Sequence, residues 1–321
     1  MGISRRGFLK LMLGAGAAGA LGVAKVAKAG SEDFEGYPNS YGVLVDTSLC
    51  IGCRSCEEAC NRVNNLGKPD KPFDDQTVFE QARRPTSNAF TVVNRFQSEA
   101  TGNKPVFVKR QCMHCNEPAC FSACLVKAFT KKPEGAVVYN ADLCIGCRYC
   151  MQVCPFYAPA YEYDSAFSPR VRKCTLCYDR ISQTGGVPGC AEACPTDALL
   201  FGRRSDLIKI AQKRLAGDST YVDHIYGQHE VGGTSWMYIS KVPFEQLGFN
   251  MNMGVTPVPK YSYGFLWSVP LVLTIWPAFL GGVYSITKRR QEAAETEGEK
   301  KSRLHLLSEQ SEKPKAKVGG M

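Results

Sequence analysis

Cysteine dominates the chemistry that this sequence can perform, because sixteen cysteines occur among its 321 residues. They fall into four groups of four, with none left over. The groups are Cys50, Cys53, Cys56 and Cys60; Cys112, Cys115, Cys120 and Cys124; Cys144, Cys147, Cys150 and Cys154; and Cys174, Cys177, Cys190 and Cys194. This count restricts the protein to a disulfide scaffold, a zinc protein or an iron-sulfur protein.

The spacing within the groups favours one of these classes. The first and third groups read C-x2-C-x2-C-x3-C, while the middle gap is four residues in the second group and twelve in the fourth. A C-x2-C-x2-C loop wraps three iron corners of a [4Fe-4S] cube, and the fourth cysteine lies in a turn of helix that leads to another cluster. Pro155 and Pro195 follow two of the fourth cysteines, whereas Asn61 and Leu125 stand there in the other two groups. The sequence therefore predicts iron-sulfur clusters whose ligands interleave between paired motifs.

Disulfides and structural zinc are the alternatives. Clustered triplets cannot all find unstrained disulfide partners among themselves, and zinc ribbons use C-x2-C pairs rather than a triplet with a distant fourth thiolate. The net charge of +9 suggests nucleic acid or anionic lipid. A four-thiolate [4Fe-4S] site carries a charge of about −2, however, so several clusters would cancel most of that charge. We therefore expect no nucleic-acid partner.

The sequence around the motifs repeats, and this repeat indicates how they are held. Residues 49–54 return unchanged as residues 143–148, which indicates an internal duplication. Short apolar strands precede three groups and follow the fourth, at 42–45, 106–108, 136–139 and 199–201. This pattern predicts an α+β fold of duplicated bacterial 2[4Fe-4S] ferredoxin-like modules at residues 30–250. Such small modules have little core, so we expect metal binding to be coupled to folding.

Some segments between the motifs carry less information. We expect the insertion at 61–110 to be a partly ordered surface excursion, with contact to a partner as one role. Two roles stay open for Arg54, Arg148, Lys173 and Arg203, which either screen the charge of a cluster or lie at the solvated surface.

The histidines and glycines indicate no further cofactor. His114 lies inside the second cysteine group, where we expect a structural role, and His224 and His229 are expected in a solvated loop. The apolar segment near the C-terminus has no histidine, so it cannot supply an axial ligand to a haem. No G-x-G-x-x-G motif follows a strand.

The N-terminus carries the pattern of a twin-arginine export signal. Arg5 and Arg6 precede Phe8 and Leu9, a weakly apolar run follows, and an Ala-x-Ala site ends at residue 29. A short N-terminal helix with two chance arginines is the alternative. Twin-arginine passengers cross the membrane folded, so this route suits a protein that takes up its cofactors first. We exclude residues 1–29 from the fold.

The C-terminal part predicts a membrane anchor. Residues 264–287 are 24 residues without a formal charge, long enough to span roughly 36 Å as a helix. The basic cluster 288–290 follows directly, which predicts a cytoplasmic C-terminus and a periplasmic ferredoxin domain. A buried helix of a soluble protein is the alternative. We expect residues 251–263 to be a linker and 288–321 to be a mostly disordered cytoplasmic tail.

With these motifs in place, the chain resembles the four-cluster ferredoxin subunits of respiratory oxidoreductases such as formate dehydrogenase, and most closely the HybA-type subunit of membrane-bound uptake hydrogenase. Three cysteine-containing stretches carry the resemblance, at 109–115, 144–155 and 188–195, together with 231–234 and 242–244. The cysteine motifs are specific for the superfamily and weakly specific for the partner enzyme.

The resemblance implies how the cysteines share four [4Fe-4S] clusters. In that family the first motif pairs with the fourth and the second with the third. The implied ligand sets are Cys50, Cys53, Cys56 and Cys194; Cys174, Cys177, Cys190 and Cys60; Cys112, Cys115, Cys120 and Cys154; and Cys144, Cys147, Cys150 and Cys124. Some relatives replace a cysteine of the second motif and hold a three-iron cluster, but every position is cysteine here.

Three functions are compatible with these features. The first is a non-catalytic electron-transfer subunit that relays electrons between a periplasmic catalytic subunit, of a hydrogenase or alternatively of a formate dehydrogenase, and a membrane quinone-reactive subunit. The second is a catalytic reductase, which would need an open ligand position or an extra cofactor that four complete cysteine sets do not leave. The third is a structural iron-sulfur adaptor. We favour the electron-transfer subunit.

Overall fold

The computed structural model describes Tyr37 and residues 40–102, 104–165 and 170–311. The predicted export signal at 1–29 lies outside the described residues. The chain divides into two compact units, the first ending at Ser262 and the second beginning at Tyr263. All sixteen cysteines belong to the first unit.

A three-stranded sheet joins the beginning of the first unit to its end. Strand β1 (Tyr41–Asp46) is central, and Val43, Leu44 and Val45 at its middle are at most 1% exposed. In chain order, three two-stranded sheets come next, followed by the two outer strands of the central sheet. The remaining strands are β2 (Thr91–Gln97), β3 (Pro105–Gln111), β4 (Phe129–Lys131), β5 (Val137–Tyr139), β6 (Ala160–Tyr161), β7 (Val171–Arg172), β8 (Leu199–Arg203) and β9 (Trp236–Ile239).

The strand pairing places distant cysteine groups together. β8 runs antiparallel to β1 and β9 runs parallel to it on the other side. Since β1 precedes the first cysteine group and β8 follows the fourth, their pairing brings these two groups to one end of the sheet. The hairpin of β4 and β5 links the second group to the third in the same way. The predicted strands at 42–45, 106–108, 136–139 and 199–201 therefore correspond to β1, β3, β5 and β8.

Short helices follow the cysteine loops. They are α1 (Ser55–Val63), α2 (Ala119–Ser122), α3 (Tyr149–Gln152), α4 (Tyr178–Thr184) and α5 (Gly189–Glu192), and a longer helix, α6 (Arg204–Gly217), follows β8. α1 and α3 begin after Arg54 and Arg148, which have left-handed φ angles of 61° and 59°. Because this conformation is uncommon for residues other than glycine, its recurrence at equivalent positions agrees with an internal duplication.

The insertion at 61–110 is more ordered than the sequence indicates. It contains β2 and most of β3, which pair along seven residues each. Val92, Val93 and Val108 on these strands are at most 2% exposed, and Val78 and Phe79 on a 3-10 turn are also buried. The expectation of a partly ordered surface excursion is wrong for the hairpin, because its apolar side chains complete the core beside the first cysteine loop.

The last helix, α7, extends over Val258–Ser311 and includes Pro270 and Pro277. It contains a stretch long and apolar enough to cross a membrane, and that stretch has no buried residue. The helix begins inside the expected linker and continues well beyond residue 287. The expectation of a disordered tail is therefore wrong for residues 288–311. Glutamate, lysine and alanine are frequent in that part, and all three favour helix.

Candidate iron-sulfur sites

Two cavities each bring four cysteines together. One cavity, called site 1, is lined by Cys50, Cys53, Cys56 and Cys194. The other cavity, called site 3, is lined by Cys112, Cys115, Cys120 and Cys154. In both sites, three cysteines come from one sequence group and the fourth comes from another. Each therefore joins two motifs that are far apart in the chain.

The remaining eight cysteines form two further neighbourhoods. Site 2 comprises Cys60, Cys174, Cys177 and Cys190; burial raises the pKa of Cys60, and its three neighbours raise it further. Site 4 comprises Cys124, Cys144, Cys147 and Cys150; burial raises the pKa of Cys150 to about 12, again with contributions from its three neighbours. All sixteen predicted residues thus fall into four sets of four.

The four sets follow one another in a row. Cys56 of site 1 and Cys190 of site 2 pack in one apolar cluster. Cys174 of site 2 packs with Cys112 of site 3 in a second cluster. A third cluster contains Cys150 of site 4 and, packed against it, Cys120 of site 3. The order along the row is therefore site 1, site 2, site 3 and site 4.

The donor chemistry of the four sites fits iron-sulfur clusters. Each set offers four thiols, which are the soft donors that iron-sulfur clusters and zinc prefer. Among the described residues, no three cysteine, histidine, aspartate or glutamate side chains close on a point as one metal ion requires. We expect each bound cube to contact one cysteine at each iron.

Burial keeps the metal-free thiols protonated. It raises the pKa of Cys50 to about 11 at site 1, of Cys174 to about 12 at site 2 and of Cys154 to about 11 at site 3, with neighbouring thiols adding to the effect. The thiolate is the metal-binding form. Metal binding must therefore displace protons from these sites, which makes cluster assembly dependent on pH.

Backbone amides point at several of the sulfurs. The N–H groups of Ala128, Gly146 and Leu176 donate to the sulfurs of Cys124, Cys144 and Cys174 at 3.2, 3.4 and 3.4 Å. Hydrogen bonds to cluster sulfurs are one of the factors that set reduction potentials. These amides therefore place partial positive charge at sites 2 and 4.

In the loop of site 1, the residue that corresponds to Gly146 must also be a glycine. Gly52 has a φ of +73°, and a β-carbon there would lie 2.5 Å from the ring of Phe107. Its backbone N–H donates to Cys50 and counteracts the effect of burial on the pKa of that thiol. Gly146 has nearly the same φ, +71°, in the duplicated loop. The two loops are thus built alike.

Charged side chains lie inside the protein near the cysteines. Lys109 and Lys173 are 2% and 5% exposed, and they line the cavities of site 1 and site 3, respectively. The open question about Lys173 is thus decided in favour of a position beside a cysteine site. Sequence reasoning missed Lys109, because a lysine that ends an apolar strand usually marks the surface. Its place three residues before Cys112 was the available signal.

Arg54 has a different role from either of those considered. It is 2% exposed and donates to the Glu57 carboxylate at 3.0 Å and to the carbonyl oxygens of Pro72 and Asp75 at 2.8 and 3.0 Å. It therefore ties the start of α1 to the insertion. Arg148, at the equivalent position, lies 5.3 Å from the centroid of the Tyr161 ring.

Two of the histidines make structural contacts. His114 is fully buried, and its Nδ1 accepts from the backbone N–H of Val137 at 2.9 Å. His224 lies 2.6 Å from the Glu230 carboxylate through its Nε2, and Glu230 is 7% exposed. The expected solvated loop holds for His229, which is exposed. It does not hold for Glu230, whose carboxylate also accepts from the backbone N–H of Gly227 and folds this part of the loop onto the domain.

The two ends of the row reach the surface. Cys53 of site 1 and Cys147 of site 4 are exposed, whereas sites 2 and 3 contain no exposed cysteine. Beside these thiols, Ile51 is 60% exposed and Ile145 is 64% exposed. Exposed apolar residues at such a point are typical of surfaces that bind partners. The duplication thus places an accessible, apolar-rimmed site at each end.

Comparison with known protein families identifies the class. A family model described as "4Fe-4S dicluster domain" matches residues 49–128, and a second model of the same description matches residues 104–204. The two matches span all four cysteine groups. The chain is therefore an iron-sulfur protein with four [4Fe-4S] clusters, which confirms the cofactor predicted from the cysteine spacing.

Individual relatives narrow the class to a family. A protein of Nitratidesulfovibrio vulgaris is 51% identical over 297 residues, covering 92% of this chain and 80% of that protein. The hydrogenase-2 operon protein HybA of Escherichia coli O157:H7 is 37% identical over 282 residues, 76% of this chain and 83% of HybA. The iron-sulfur subunit of the nitrate-inducible formate dehydrogenase of Escherichia coli K12 is 33% identical, over 63% and 69% of the two chains. The chain belongs to this family of non-catalytic electron-transfer subunits.

Proposed function

We propose that the chain relays electrons in a row through sites 1 to 4, between a catalytic hydrogenase subunit in the periplasm and a quinone-reactive subunit in the membrane. The observation that carries the proposal is the order of the sites, with two closed sites in the middle and an exposed cysteine at each end. A structural adaptor would need neither the row nor the exposed ends.

The same geometry supports an assignment of ligands. Each site has three cysteines from one group and one from its paired group, the arrangement that interleaved cluster motifs require. We assign one [4Fe-4S] cluster to each site, so that all sixteen cysteines are iron ligands. A bound cluster supplies one-electron transfer at a potential set by its surroundings. The protein's part is to exclude water, direct amide dipoles at the sulfurs and hold cations near them.

The choice of catalytic partner follows from the extent of the similarity. HybA aligns with 76% of this chain, whereas the formate dehydrogenase subunit aligns with 63%. The longer alignment favours a hydrogenase. Identifying the subunits that co-purify with the chain tests this choice directly, and recovery of a formate dehydrogenase catalytic subunit would contradict it.

The membrane arrangement rests on the two ends of the chain. The apolar part of α7 is long enough to span a bilayer, and the basic residues Lys288, Arg289 and Arg290 follow it. Basic residues flank spans on the cytoplasmic side. Together with the proposed twin-arginine export, these basic residues support a ferredoxin domain in the periplasm and a C-terminus in the cytoplasm.

Truncation tests the relay and the anchor together. A chain that ends at Tyr263 retains every cysteine but lacks the span. It should appear in the soluble periplasmic fraction with its clusters, still accept electrons from the catalytic subunit, and fail to reduce quinone in membranes. A chain that ends at Arg290 keeps the span and is the matched control. Unchanged substrate-to-quinone electron flow in the shorter chain would contradict the role given to the helix.

A further inference from the structure

Lys109 is a buried cation whose contacts do not balance its charge. Its side chain is 2% exposed, its Nζ donates to Oε1 of Gln111 at 3.0 Å, and it lies 4.3 Å from the centroid of the Trp236 ring. Among the described residues, no carboxylate forms an ion pair with it. A buried ammonium without a partner is costly, because burial removes its hydration. The compensating negative charge must therefore lie elsewhere.

The clusters assigned to two neighbouring sites would supply that charge, since a four-thiolate [4Fe-4S] site carries a charge of about −2. Lys109 lines the cavity of site 1. Its ammonium also lies close enough to interact electrostatically with Cys190, Cys56 and Cys174. Cys56 belongs to site 1 and the other two belong to site 2. The side chain thus lies beside two neighbouring sites at once.

The surroundings hold this ammonium in one place. Lys109 and Gln111 are two residues apart on β3, so they lie on the same face of the strand. Nε2 of Gln111 donates to the Tyr238 hydroxyl at 2.7 Å, and that hydroxyl donates to the carbonyl oxygen of Lys109 at 3.0 Å. Tyr238 is fully buried on β9. A fixed cation exerts a larger electrostatic effect in such a site than a mobile, hydrated one.

We propose that Lys109 raises the reduction potentials of sites 1 and 2 together, and that Lys173 does the same for site 3. Reduction adds one negative charge to a site, and a fixed buried cation stabilises the reduced form relative to the oxidised form. This proposal rests on the ligand sets assigned above. Lys109 is a positioning charge and not an iron ligand.

Lys173 is a second buried lysine beside a cysteine site, as Lys109 is. It is 5% exposed, lines the cavity of site 3, and donates to the carbonyl oxygens of Val137 and Cys174. It also lowers the pKa of Cys120, against the larger opposing effect of burial. Each of the two buried lysines therefore borders a different four-cysteine cavity.

An EPR-monitored redox titration of the purified full-length chain tests the proposal. Lys109→Met removes the charge and keeps an unbranched side chain of similar length. We expect two of the four midpoint potentials to fall, each by at least a tenfold change in the reduction equilibrium, or 59 mV for a one-electron couple. Lys173→Met should lower the midpoint potential of a cluster whose potential Lys109→Met leaves unchanged. Lys109→Arg keeps the charge and should leave all four midpoints near their wild-type values.

The outcomes separate this proposal from the assignment on which it rests. Four unchanged midpoints in a fully loaded Lys109→Met protein would overturn the proposal, and so would an equal fall in all four. If the Lys109→Met protein loads no clusters, the Lys173→Met protein provides the test. Unshifted midpoint potentials in the Lys173→Met protein would then overturn the proposal. A wild-type chain with fewer than four titrating clusters would instead contradict the ligand sets.

Discussion

Glu57 allows a quantitative prediction about how the first cysteine loop is held. This carboxylate is 5% exposed and lies between Cys56 and Cys60 on α1. It accepts from the backbone N–H of Val93 at 2.6 Å, from Arg83 at 2.6 Å and from Arg54 at 3.0 Å. It therefore fastens the helix that carries two cysteines to β2 and to the insertion.

Glu57→Gln removes the charge and keeps the shape. Removing one partner of a buried ion pair costs about 3–5 kcal/mol. Arg83 is 25% exposed and can regain water, so we expect the lower end, about 3 kcal/mol. Because iron-sulfur proteins lose their metal when they unfold, an equilibrium free energy is not defined for this protein. The measurable quantity is the rate at which cluster absorbance disappears in denaturant under anaerobic conditions.

A destabilisation of about 3 kcal/mol that acts on the native state alone accelerates that loss by about 100-fold. Glu192→Gln is the matched control, since Glu192 lies on α5 and pairs with Arg180 while 59% exposed. An exposed pair contributes about 0–1 kcal/mol, so this variant should lose absorbance less than about fivefold faster than wild type. Equal rates of absorbance loss for the two variants would refute the conclusion that Glu57 fastens α1 to the insertion.

Three further predictions follow from the sites and the chain ends. Cys194→Ala should abolish the EPR signal of site 1 and disturb site 2 less; the reverse loss would show that the ligand sets are wrong. Replacing Arg5 and Arg6 by lysine should leave cluster-loaded precursor in the cytoplasm, as cell fractionation would detect, and undiminished export would remove the twin-arginine assignment. Gly135→Ala should strain the native state by about 1–3 kcal/mol and so accelerate cluster loss, because φ is +98° and the new β-carbon would lie 2.6 Å from a backbone oxygen. Gly217→Ala, with no atom within 4 Å, is its control, and equally fast cluster loss in both would contradict the steric argument.

The sequence predicted the chemistry of the sites better than their assembly. Cysteine spacing is local, so it indicated clusters without knowledge of the fold. The strands β1 and β8 were predicted as well, but their pairing joins residues about 160 positions apart (Tyr41 with Arg203), and such long-range pairing has no signal in either strand. The spacing predicted that ligands interleave between motifs, but which motif pairs with which was available only through a resemblance to a family.

Buried charge was the main feature that sequence reasoning missed. Lys109 and Glu57 have the residue types of a solvated surface, and their burial depends on partners contributed by distant elements, such as Trp236 for the lysine and Arg83 for the glutamate. The β2–β3 hairpin was missed for a related reason. The residues of β2, Thr91–Gln97, do not alternate between apolar and polar types, because its first four positions are all buried.

Four [4Fe-4S] clusters on sixteen cysteines require a fixed iron and sulfide content. The most direct test is metal and acid-labile sulfide analysis of the full-length protein purified without oxygen. Four complete cubes predict about 16 iron and about 16 sulfide per chain. Stoichiometric zinc without sulfide would contradict the presence of these clusters, and about 12 iron would show that the four sites are not all filled by cubes.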